Sequence, residues 1–90
     1  MSTMSFGGAI EALKQGKKVA RAGWNGKGMW LELVTPSEYT ISHHNIPVDA
    51  RVSQANDLLP FIMMKTADNK YVPWLASQTD ILAEDYSLVD

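Results

Sequence analysis

An α+β fold is what these 90 residues predict: one antiparallel sheet, an N-terminal helix and a short C-terminal helix, within a single domain spanning 1–90. Three observations carry that prediction. Phe6, Ala9, Ile10 and Leu13 follow the i, i+3, i+4, i+7 spacing of a helix that buries one face. Short apolar runs separated by turn-forming residues occur twice, across 17–34 and across 61–74, and read as two hairpins. Ser77 followed three residues later by Asp80 has the layout of a capping box, ahead of Ile81, Leu82 and Ala83.

Taken in order, Ser5 is the expected N-cap of the first helix, and Gly16 supplies the left-handed residue that ends it. Residues 17–21 and 29–34 are the strands of the first hairpin, joined by an elaborate loop containing Gly23, Gly26 and Gly28. In the second of these strands Met29, Leu31 and Leu33 share one face, and Trp30, Glu32 and Val34 the other. The second face is mixed, which places Trp30 at an expected subunit contact. Residues 35–59 show no clear periodicity and form a variable middle segment, longer than an ordinary connection. Residues 61–65 then pair with 71–74 across a turn in which Asp68 and Asn69 supply the geometry. Residues 86–89 return as a last strand.

Composition narrows the function. A chain of this length buries only roughly two thirds of its unfolded surface, so its core is marginal and an oligomer is expected. There is no cysteine, hence no disulfide framework, thiolate metal site or cysteine nucleophile. No apolar run is long enough to cross a bilayer, and the first residues lack the layout of a secretion signal, so the protein is expected to stay in the cytoplasm where it is made. Eight Lys and Arg against ten Asp and Glu argue against a general DNA or RNA binder. The distribution is uneven: Lys14, Lys17, Lys18, Arg21 and Lys27 lie in the first third, and no acid falls between Glu11 and Glu32. That segment either meets a small anion or forms a solvated edge that discourages aggregation.

Catalytic and metal chemistry have little footing. His43 and His44 are neighbours whose side chains on extended chain point apart, so no metal site is expected. Asp80 and Glu84 are four apart and fit one helix face as an acid/base pair, but Asp80 at N3 reads better as a helix cap. No serine sits in a nucleophile elbow. No catalytic residue and no cofactor are assigned.

Binding chemistry is better supported. Trp24 and Trp74 fall at the ends or turns of predicted strands and offer flat platforms for a base. Asn25 beside Trp24 can donate and accept, and Gly26 and Gly28 let backbone N–H groups approach a phosphate closely. Ser77, Gln78 and Asp80 follow Trp74 and suit ribose hydroxyls. These are the parts of a nucleotide pocket. The alternative is that Trp24 and Trp74 cap the two open ends of the sheet core.

The runs Gly16-Lys17-Lys18-Val19-Ala20-Arg21 and Gly23-Trp24-Asn25-Gly26-Lys27-Gly28-Met29 resemble blocks of a phage and prophage family, the second type of Thoeris anti-defence protein. So do 59–67, Val72-Pro73-Trp74 and 77–85. The resemblance covers 6–33 and 59–89 and leaves the middle uncovered. It departs from the family pattern at Gly8, where many relatives carry an acid, at Asn69 in place of the commoner glycine, and at Tyr86 in place of a frequent tryptophan.

The resemblance implies a sponge. Such a protein binds and sequesters a cyclic ADP-ribose isomer, the immune signal of an infected bacterium, without cleaving it, and so blocks activation of the Thoeris effector in the host cytoplasm. It also implies a homotetramer with pockets at subunit contacts, and binding of cyclic di- or trinucleotides in some members. Carried over by motif, the ligand-binding positions are Trp24, Asn25, Gly26, Trp74, Ser77 and Asp80. Outcompeting an effector requires nanomolar affinity, about −12 kcal/mol. An enzyme that hydrolyses the cyclic nucleotide, or a module that blocks a host protein directly, are the alternatives.

Overall fold

The computed structural model describes residues 3–24, 27–35 and 59–89. Asn25 and Gly26, and the middle of the chain from 36 to 58 with His43 and His44, lie outside the described residues.

Helix α1 runs Phe6–Lys14. The Ser5 hydroxyl accepts the N–H of Gly8 at 3.2 Å, satisfying one of the donors that a helix start leaves without partners. At the other end Gly16 adopts φ 84°, the N–H of Gly16 donates to Leu13 O at 3.0 Å, and that of Lys17 to Ala12 O at 3.1 Å. This pair of bonds closes the last turn, and the left-handed residue it requires is the reason for a glycine there. Between the caps the helix buries Ala9, Ala12 and Leu13 on one face.

Five strands form one antiparallel sheet: β1 (Lys18–Arg21), β2 (Trp30–Val34), β3 (Phe61–Lys65), β4 (Tyr71–Pro73) and β5 (Tyr86–Val89), ordered β4-β3-β2-β1-β5. The first two begin one residue later than the sequence predicts, the usual blurring of an element's end. Both expected hairpins form, and Asn69 takes φ 64° in the second turn, where Thr66 also accepts and donates across to Lys70. Pro73 lies on an edge strand, where a residue without an N–H is tolerated. The chain then crosses from one edge of the sheet to the other, so β1 pairs through its whole length with β5, Lys18 opposite Val89 and Arg21 opposite Tyr86. Met4 bridges the outer side of β5 through two backbone bonds with Tyr86, 2.7 and 3.2 Å.

Because paired residues in an antiparallel ladder share a face, Val19, Leu31 and Met64 point the same way, towards α1. With Leu13, Ala9, Ala12 and Tyr86 they enclose the core: Val19 and Tyr86 are fully buried. Val19, Leu13 and Leu31 each contribute about 2 kcal/mol on burial. The opposite face carries Trp30, Lys65 and Tyr71 in one row, with Lys18 Nζ 4.3 Å from the Trp30 ring and Trp30 edge-on to Tyr71 at 6.1 Å. Helix α2 (Gln78–Leu82) occupies the crossing between β4 and β5 and touches α1.

Candidate functional site

The two hairpin blocks singled out by sequence meet on the α1 side of the sheet. The centroids of Trp24 and Trp74 lie 6.4 Å apart at an interplanar angle of 67°, an edge-to-face pair. Trp74 continues onto Phe6 at 6.4 Å, and Phe6 onto Tyr86 at 6.0 Å. The indoles therefore do not cap two separate ends of the core. They form one aromatic cluster against it, half-buried, with Phe6 of α1 as a member that the sequence pattern gave only as a core residue.

Behind the rings lies an ionic clasp. Arg21 Nη1 donates to Asp80 Oδ1 at 2.7 Å, and Arg21 Nε to Asp85 Oδ1 at 2.9 Å. Asp85 Oδ2 accepts the N–H of Gly23 at 2.9 Å. A Cβ on Gly23 would stand 3.1 Å from that oxygen and 3.3 Å from Arg21 Nη2, so a side chain here would press on the ion pair.

Asp80 joins the clasp to helix α2. The Ser77 N–H and hydroxyl donate to Asp80 Oδ2 at 3.0 and 2.8 Å, and the Asp80 N–H returns to Ser77 Oγ at 3.2 Å, the reciprocal capping box that the sequence predicts. The hydroxyl of Tyr86 donates to the Asp80 carbonyl at 2.6 Å. Asp80 is the helix cap that the sequence favours, and Glu84 does not share a helix face with it: α2 ends at Leu82 and Ala83 is already extended, so the alternative acid/base pair does not form.

These contacts set the protonation states. Burial pushes the Asp80 carboxyl upward, but hydrogen bonds from the Ser77 N–H and hydroxyl, Arg21 and the Trp24 indole outweigh it and hold the group below the ordinary carboxylate range. Asp85 is held low by Arg21 first and by the Gly23 N–H after it. Arg21 is correspondingly held more firmly cationic, by Asp85 and then Asp80. Burial raises the Tyr86 phenol to about 12.

The basic first third is spent unevenly. Arg21 is neutralised by two carboxylates, Lys14 sits 3.6 Å from Glu11, and Lys18 lies over Trp30. Lys17 and Lys27 remain exposed. Lys65, which sequence reading did not single out, donates to the Gly28 carbonyl at 2.6 Å and pins the far end of the loop that begins at Ala22. No local pattern announces this contact, because 37 residues separate the partners.

Of the six positions carried over by motif, Trp24, Trp74, Ser77 and Asp80 are thus brought to one side of the fold, and Asn25 and Gly26 follow Trp24 outside the described residues. Among the described residues no group of three or more His, Cys, Asp or Glu is placed to hold a metal, and no helix is long and apolar enough to cross a membrane. The family model of the Thoeris anti-defense 2-like domain matches residues 4–89. Thoeris anti-defense 2 of Bacillus phage SP01 is 44% identical over 93 residues, which cover 96% of this chain and 94% of that protein. A match spanning both tryptophan blocks, the clasp and the whole sheet shows that the chain belongs to the Thoeris anti-defense 2-like family.

Proposed function

We propose that this phage anti-defence protein works as a sponge: it binds a cyclic ADP-ribose isomer and holds it intact, so that the Thoeris effector is not activated. The observation that carries the reading is the edge-to-face pair of Trp24 and Trp74, braced by Arg21, Asp80 and Asp85. A braced pair presents its free indole surface with little rotamer freedom left to lose, which favours capture of a planar base. Trp24 and Trp74 take the adenine, the Ser77 end of α2 faces a ribose hydroxyl, and Asn25 and Gly26 with exposed Lys27 meet the diphosphate. Asp80 serves the site by holding Ser77 and Trp24 in place. A single half-exposed surface falls short of nanomolar affinity, so enclosure between copies in a homotetramer completes the pocket. Cyclic di- or trinucleotides are further candidate ligands, and the host cytoplasm is the place of action.

The test is direct. The protein is mixed with the cyclic ADP-ribose isomer, freed of unbound ligand and heat-denatured, and the supernatant is analysed by chromatography and mass spectrometry. Unaltered ligand recovered in near-stoichiometric amount is expected. A product of changed mass identifies an enzyme, and no retained nucleotide points to direct blocking of a host protein.

A further inference from the structure

Asp85 receives hydrogen bonds from three consecutive residues. Arg21 donates through Nε to Oδ1 at 2.9 Å, Ala22 through its N–H to the main-chain carbonyl at 3.1 Å, and Gly23 through its N–H to Oδ2 at 2.9 Å. These are the last residue of β1 and the two that turn the chain towards Trp24. By contrast, the Trp24 N–H makes a long 3.4 Å bond back to Arg21 O. The path of the chain into Trp24 is therefore templated by a residue 62 positions away in addition to its own turn, whose bond is the longer one.

We propose that Asp85 is the positioning residue of the Trp24 platform, setting the edge-on geometry of Trp24 against Trp74 that ligand capture uses. The proposal rests on the sponge reading for its ligand and on geometry alone for its mechanism. The Asp85 side chain is 31% exposed, outside the enclosed core, so it is removable without opening a cavity. Arg21 keeps Asp80 as a partner when Asp85 is lost, so no cation is stranded. Asparagine at 85 still accepts the Gly23 N–H through its amide oxygen but gives up the ion pair, whereas alanine gives up both. The main-chain bond from Ala22 survives either change. A graded loosening of the loop follows.

The experiment uses the full chain and reads two quantities. The first is the tryptophan exciton couplet in the circular dichroism spectrum, which depends on the mutual orientation of the two indoles and needs no ligand; Trp24→Phe gives its zero. The second is affinity for the cyclic ADP-ribose isomer. Asp85→Asn is expected to reduce the couplet partly, and Asp85→Ala to remove most of it and weaken capture by about tenfold, with cooperative unfolding retained. A couplet in Asp85→Ala equal to that of the parent overturns the proposal, as does a lost couplet with unchanged capture. If the parent chain retains no nucleotide, the sponge reading fails by itself, and the order of the three couplets still decides whether Asp85 positions Trp24.

Discussion

Arg21 and Asp80 meet at 2.7 Å although 59 residues separate them in the chain. One partner ends β1 and the other sits at N3 of α2, so this contact ties the two loops that carry Trp24 and Ser77. Both side chains are largely withdrawn from water, 17% and 13% exposed, where an ion pair is less screened than at an open surface.

Replacing Arg21 with Met keeps the stem and removes the charge. Asp80 is then left buried without its cation, and a loss of about 2 kcal/mol in unfolding free energy is expected, read from urea titrations. Arg21→Lys recovers only part of it, because a single ammonium cannot span two carboxylates as the guanidinium fork does.

Acid should weaken the fold through the same groups. Asp80 and Asp85 are held below their ordinary values in the folded chain, so their ionic contribution is complete above about pH 4 and is lost as the pH falls further through the depressed values. Thermal midpoints are expected to be flat near neutrality and to drop below about pH 4. Arg21→Met should flatten that acid limb; parallel limbs in parent and variant would show that the clasp is not its source.

Alkali acts on Tyr86. Burial, aided by Asp80 and opposed by Arg21, raises its phenol from 10.0 to about 12, so the folded chain prefers the neutral form. The stability tied to it is intact below pH 10 and declines as the pH rises towards 12, by up to roughly 3 kcal/mol. Tyr86→Phe removes this alkaline decline and costs about 1 kcal/mol at neutral pH for the lost bond to the Asp80 carbonyl. Stability measured at pH 7 and pH 11 in both chains checks the two effects together.

Gly23→Ala introduces a Cβ at 3.1 Å from Asp85 Oδ2. Either the turn or the ion pair must give way, and a destabilisation of about 1–2 kcal/mol is expected. A midpoint unchanged in thermal denaturation would mean that the clasp moves aside freely.

Trp24→Ala and Trp74→Ala should each weaken capture of the cyclic ADP-ribose isomer by more than about 1 kcal/mol, measured by calorimetry. Trp74 also packs on Phe6, so its variant is expected to lose stability as well, and Trp74→Phe separates the two contributions. Binding unchanged in both alanine variants removes the indoles from the pocket.

Local chemistry made much of this fold legible in the sequence. The caps at Ser5, Gly16 and Ser77, the turn at Asn69 and the alternation along β2 each depend on residues within a few positions of one another. The tryptophan blocks were legible too, as flat side chains beside turn residues. What escapes is the environment of two residues: Arg21, which the sequence groups with the lysines of a basic segment, and Glu84, which its spacing allows on one helix face with Asp80. The first is neutralised by carboxylates 59 and 64 residues away, and the second is cut off by a helix that ends after five residues.

By itself the sequence determined the elements, the class of fold and the chemistry available at Trp24 and Trp74, because hydrophobic period, capping and turn geometry are short-range properties. Only the tertiary structure decided that β5 returns beside β1, and hence that Asp85 and Asp80 reach Arg21. That outcome depends on how strands order in a sheet, which side-chain spacing along one segment does not encode. The return places Asp85 against residues 21–23 and so sets how the chain enters the tryptophan pair.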